Sequence, residues 1–102
     1  MQKITLYMGL NDKDTKKQEI NTIDAYKLVM NVLTQSVDGG TIFEANGFYK
    51  HVDGTITIEK SLKIELIDVE ENILRGMVET LKQVFNQESI ILQRDIITSE
   101  LI

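Results

Sequence analysis

His51 is the single imidazole in a chain that contains no cysteine. A histidine can act as a general base or a switch near neutral pH. This one stands beside Asp53-Gly54 at the end of an alternating segment, where a histidine is ordinarily solvated. One His and no Cys exclude a multi-histidine metal cluster, a thiolate zinc site, a disulfide and a cysteine nucleophile. Among the carboxylates, Glu59 and Glu65 share one side of an alternating run but lie six residues apart. That is roughly 20 Å at strand rise, too far for a dyad. Glu44 could pair across the hairpin with Lys63, depending on register, as a cross-strand charge pair. Asn11-Asp12-Lys13-Asp14 begins like a calcium loop, yet neither the glycine nor the closing glutamate follows. No G-x-x-x-x-G-K, G-x-G-x-x-G or nucleophile-elbow pattern is present. No metal and no cofactor are expected, and an enzyme would have to rely on His51, Glu44 and Tyr49 as a small lyase or hydrolase.

Binding chemistry has more to work with. Lys13, Lys16 and Lys17 are three of the eleven cations and cluster in one polar stretch, partly offset by Asp12, Asp14 and Glu19. With Asn11 and the helix-start amides near Asn21 and Thr22, they suggest a flap that meets an anion such as a phosphate. Tyr7, Tyr49 and His51 offer aromatic faces for a base, and Arg94 a planar cation; strand register decides whether they meet.

Composition bounds the partners. Eleven Lys plus Arg against sixteen Asp plus Glu leave a net charge of -5. Duplex DNA and anionic membranes select the opposite balance, so neither is an expected partner. A length of 102 residues suits one domain, 1–102, with a two-layer core. No leader pattern follows Met1-Gln2-Lys3 and no run approaches a spanning helix. The expected location is cytoplasmic, that of the host if a phage encodes the chain.

The elements that must position these groups follow from periodicity. Ile4, Leu6 and Met8 alternate with Thr5 and Tyr7 as a half-buried strand. Asn21 or Thr22 caps a helix of roughly 14 residues whose expected core stripe is Ile23, Tyr26, Met30, Leu33 and Val37, stopped by Asp38-Gly39-Gly40. Thr41–His51 and Thr55–Ile67 read as two strands joined through Val52-Asp53-Gly54-Thr55, with Asp-Gly expected at the centre of a type I′ turn. Ile73, Met77, Leu81 and Val84, with Leu74, Val78 and Phe85, mark a second helix; Gly76 within it suggests close packing on the sheet. Ser89–Gln93 forms a last strand, with Thr98 as its far limit. The order β-α-β-β-α-β predicts an α+β, ferredoxin-like fold: a four-stranded antiparallel sheet in order 4-1-3-2 with two helices on one face.

Four fragments carry a resemblance: Leu6-Tyr7-Met8-Gly9-Leu10, Glu44-Ala45-Asn46-Gly47-Phe48-Tyr49, Glu59-Lys60-Ser61 and Asn86-Gln87-Glu88-Ser89-Ile90. With them the chain resembles an uncharacterised family of small bacterial and phage domains. The resemblance implies a compact α+β domain and no known activity. The expected function is a non-enzymatic binding protein, a phage accessory protein that sequesters a small anionic, nucleotide-derived immune signal. The alternative is an inhibitor or scaffold of a host protein with an acidic surface. Self-association, as a homodimer or higher homo-oligomer, is expected because the helix-free sheet face and the Ile96-Ile97 and Leu101-Ile102 tail hold more apolar area than a monomer buries.

Overall fold

The computed structural model describes residues 1–102. It orders them as β1 (Gln2–Gly9), α1 (Thr22–Thr34), β2 (Thr41–Lys50), β3 (Ile56–Ile67), α2 (Glu71–Val84) and β4 (Ile91–Ile96). One antiparallel sheet runs β2-β3-β1-β4, the expected order, with both helices on one face. Strand parity fixes the faces. Ile4, Leu6 and Met8 of β1 and Leu62, Ile64 and Leu66 of β3 are fully buried beneath the helices. From α1 they meet Ala25, Val29 and Leu33; from α2, Leu74, Met77, Leu81 and Phe85.

Asn21 caps α1 by accepting the Asp24 N–H, as its side-chain chemistry predicts. The expected core stripe of α1 is displaced. Ile23, Tyr26 and Met30 are exposed, and the face that packs centres on Val29, about 80° round the axis at 100° per residue. Apolar residues occur on three sides of this helix, and the sheet buries Ala25 and Val29 fully. In α2 the same correction is smaller, since only Ile73 and Val84 turn outward. Helix α1 also stops at Thr34, before Asp38-Gly39-Gly40. Gly40 has another role: a Cβ there would lie 2.6 Å from Leu66 Cδ2 and 3.1 Å from the Glu65 carbonyl. Gly76, expected to pack on the sheet, would place a Cβ in open space.

The β2–β3 hairpin outruns the rest of the sheet. Strand β1 ends where Gly9 pairs with Ser61, so residues 56–60 of β3 pair only with residues 46–50 of β2. This two-stranded ribbon stretches the molecule to 48 Å along one axis against 25 Å across. The helices do not reach it, which is why Ile56, Ile58 and Phe48 stay exposed despite continuing the apolar alternation. Its tip is not the expected type I′ turn. Gly54 N–H bonds the His51 carbonyl across Val52-Asp53, and Gly54 alone takes a positive φ, 91°. That is the three-residue loop, an ordinary turn followed by a glycine bulge. No helix is long and apolar enough to cross a membrane.

Candidate functional site

Register decides what the helix-free face presents. Tyr7 pairs with Lys63 and Lys63 with Phe43, so these three side chains form one row across β1, β3 and β2. The Lys63 ammonium lies 5.9 Å from the Tyr7 ring centroid and 5.4 Å from that of Phe43, within cation–π reach of both. The next row toward the ribbon is Gly9, Ser61 and Ala45, and the one after it is Glu59 and Gly47. Beyond them stands Tyr49 beside Thr57. Small residues and Glu59 thus separate the Tyr7 and Phe43 rings from that of Tyr49 by about 20 Å at strand rise.

Glu59 sets the chemistry of that stretch. Its Oε2 accepts the Asn11 N–H at 2.8 Å. The carboxylate rests against Gly9 so closely that a Cβ there would fall 2.5 Å from Oε1 and 2.6 Å from Cδ. Oε1 receives no protein hydrogen bond. Below the aromatic row the face is closed by charge: Glu65 accepts from Lys3 at 3.3 Å and from Lys63 at 3.5 Å. The Lys3 hydrogen bond, with the positive charge of both lysines, holds the Glu65 carboxyl below its ordinary range, against a smaller opposing effect of desolvation. Thr5, on this face, is buried next to that network.

The expected site residues are distributed over four places. Tyr7 and Asn11 flank Gly9 and Glu59. Tyr49 and His51 lie on the same face near the ribbon tip, their rings 4.9 Å apart edge to face, with His51 Nε2 2.7 Å from Thr57 Oγ1. Lys13, Lys16 and Lys17 are exposed in the loop after β1 and take part in no ion pair. That loop is braced: Asn11 bridges Gln18, and the Asp12 N–H bonds the Lys17 carbonyl at 2.8 Å. The N–H groups of Thr15 and Asp14, then the Asn86 amide, lower the Asp12 carboxyl's pKa. Arg94 stands opposite Ile4 on the helix side of β4, the other face from Tyr7, and pairs with Glu71 at 2.7 Å. Glu44 pairs with Leu62 and also faces the helix side. The Glu44–Lys63 pair is therefore absent, and Glu44 cannot join Tyr49 and His51. No group of three acidic or histidine side chains is placed to hold a metal ion.

Sequence reasoning named Ala45, Gly47 and Gln87 only within the fragments of the family resemblance and gave neither them nor Phe43 a place in the site. Their signal was the alternation of small residues at 45 and 47 against Ser61 and Glu59, legible only once the hairpin is centred correctly. All four fragments behind the family resemblance meet here: Gly9, Ala45 with Gly47, Glu59 with Ser61, and Gln87, whose amide donates to the Asn11 carbonyl at 2.6 Å.

No curated protein sequence matches the chain. Solved structures share its fold. A phage SAM lyase in complex with S-methyl-5′-thioadenosine is similar over 92% of this chain and 79% of its own, at 21% identity and a TM-score of 0.64. CutA1 from Oryza sativa is similar over 99% of this chain and 84% of its own, at 15% identity and a TM-score of 0.58. CutA from Pyrococcus horikoshii, crystallised in 3 M guanidine hydrochloride, covers 96% of this chain and 87% of its own at 16% identity and a TM-score of 0.57. The profile of DUF3574, described as a protein of unknown function, matches residues 3–98, and this chain belongs to that family.

Proposed function

We propose that the protein binds a small nucleoside-bearing molecule on the helix-free face of its sheet. The observation that carries this reading is the floor of Gly9, Ser61, Ala45 and Gly47 between the Tyr7–Phe43 and Tyr49 rings, with one free oxygen of Glu59 over it. A flat base gains area and stacking against such rings, and a ribose diol or a cationic substituent suits an unpartnered carboxylate. The fold neighbour that carries S-methyl-5′-thioadenosine supports the same ligand class. Lys13, Lys16 and Lys17 begin two residues beyond Asn11, so a phosphate on the ligand has cations to meet at that end. In a phage such a protein would sequester a nucleotide-derived signal of its host.

Titration calorimetry of the whole protein against adenosine, S-methyl-5′-thioadenosine, S-adenosylmethionine and AMP tests the reading. Saturable binding that weakens in Glu59→Gln and Tyr7→Ala is the expected result. Binding of AMP alone, lost in a Lys13, Lys16, Lys17 triple alanine variant, would move the site to the loop. No binding by any of the four would remove the proposal. The free Glu59 oxygen over Gly9, on the same face as Tyr7, also favours a second reading, a lyase. Mass-spectrometric detection of new products from S-adenosylmethionine, absent with Glu59→Gln, separates it from binding alone.

A further inference from the structure

Glu59 depends on residues far from it in sequence. Its carboxylate is held by one donor, the Asn11 N–H, which belongs to the segment leaving β1. That segment is held in turn from the end of α2. Gln87 Nε2 donates to the Asn11 carbonyl at 2.6 Å, and its own N–H bonds the Lys82 carbonyl at 2.9 Å in the last turn of the helix. Asn86, at a positive φ of 47°, accepts the Lys13 N–H at 3.0 Å and donates to Asp12 at 3.0 Å and Asp14 at 2.8 Å. The residue that grips Glu59 is thus clamped on its other side by the turn that follows α2.

We infer that Gln87 is a positioning residue for Glu59, fixing the direction of that carboxylate through the backbone of Asn11. The inference rests on the ligand-binding reading for its consequence, though not for its geometry. Gln87 is half-buried and its amide has two acceptors, the Asn11 carbonyl and, at 3.3 Å, that of Phe85. Removing the donor releases the Asn11 carbonyl, so the Asn11–Asp12 peptide keeps only the Asp12 N–H bond to the Lys17 carbonyl and the backbone angles of Asn11 relax. The preceding peptide, which carries the Asn11 N–H, shifts with them, its bond to Oε2 weakens and the carboxylate is free to leave Gly9. A ligand that needs Glu59 in one orientation loses the benefit of its being set in advance.

The test uses the full chain labelled with 15N and the variant Gln87→Met, which keeps the side chain's length and removes its donor. The expected result is a shifted Asn11 amide resonance with faster hydrogen exchange, while the amides of Leu6 and Ile64 stay unchanged. Affinity for S-methyl-5′-thioadenosine falls about tenfold, the scale of one hydrogen bond. In a Glu59→Ala background, which leaves no acceptor for the Asn11 N–H, the same change should cost no further affinity, which a merely structural role would not produce. An unmoved Asn11 amide would overturn the inference, as would an equal loss of affinity with and without Glu59. If the unaltered protein binds no nucleoside, the site reading fails, and the Asn11 amide alone decides the brace.

Discussion

Replacing Gly9 by alanine isolates the contact on which the site depends. The backbone at Gly9 has no positive φ, so alanine is not strained there. The new Cβ, however, would sit 2.5–2.6 Å from all three carboxylate atoms of Glu59. These are the far end of a flexible side chain, so the carboxylate swings away and the core stays in place. What is lost is the 2.8 Å hydrogen bond from Asn11. A bond to a charged acceptor contributes about 1.5–3 kcal/mol, and alanine returns roughly 0.4–1 kcal/mol by restricting the unfolded chain. The expected net loss is about 1 kcal/mol. With m of about 1–2 kcal/mol/M, the urea midpoint falls by roughly 0.5–1 M. Equilibrium urea unfolding measures it in four proteins: the unaltered chain, Gly9→Ala, Glu59→Ala and the double variant. Because alanine at 59 removes both the clash and the bond, adding Gly9→Ala to it should cost nothing. A loss of stability as large in the double variant's second step as in the first would refute the seating of Glu59 on Gly9.

Other glycines and charges give contrasting outcomes. Gly40→Ala meets Leu66 in the core and the backbone of Glu65, which cannot swing aside, and should cost about 1–3 kcal/mol in the same assay. Gly76→Ala meets nothing in mid-helix and should stabilise by about 1 kcal/mol. The carboxyls of Glu65, Asp12 and Asp53 are all held below their ordinary values, chiefly by hydrogen bonds from Lys3, Thr15 and Thr55 respectively. Between the folded and unfolded pKa the unfolded chain binds more protons, so their contribution is complete above the ordinary carboxylate range and disappears as pH falls through the depressed values. Glu65→Gln should therefore flatten the acid limb of stability against pH. Sedimentation should find a homo-oligomer, because Phe48, Ile56 and Ile58 expose one apolar side of a ribbon that two strands alone would barely stabilise. A single 11.7 kDa species with a fully ordered ribbon would count against it.

Local periodicity in the sequence carried the element order, the strand order and most of the core. Alternation in Ile4-Leu6-Met8 and Leu62-Ile64-Leu66 names the buried face directly, because a strand has only two faces and a one-residue error exchanges them. A helix has no such binary choice. Apolar residues on three sides of α1 left its orientation to the sheet, which took Ala25 and Val29 and turned Tyr26 and Met30 away. The ribbon was illegible for a related reason: Ile56 and Ile58 carry the same pattern as Leu62, and only the reach of the helices distinguishes them. The site lay further still from local information. Tyr7, Phe43 and Lys63 become neighbours, and Arg94 and Glu44 fall on the opposite face, through pairings between residues tens of positions apart. Where the Glu59 carboxylate rests was decided by one glycine with no side chain to exclude it and by a turn after α2 that holds Asn11 in place.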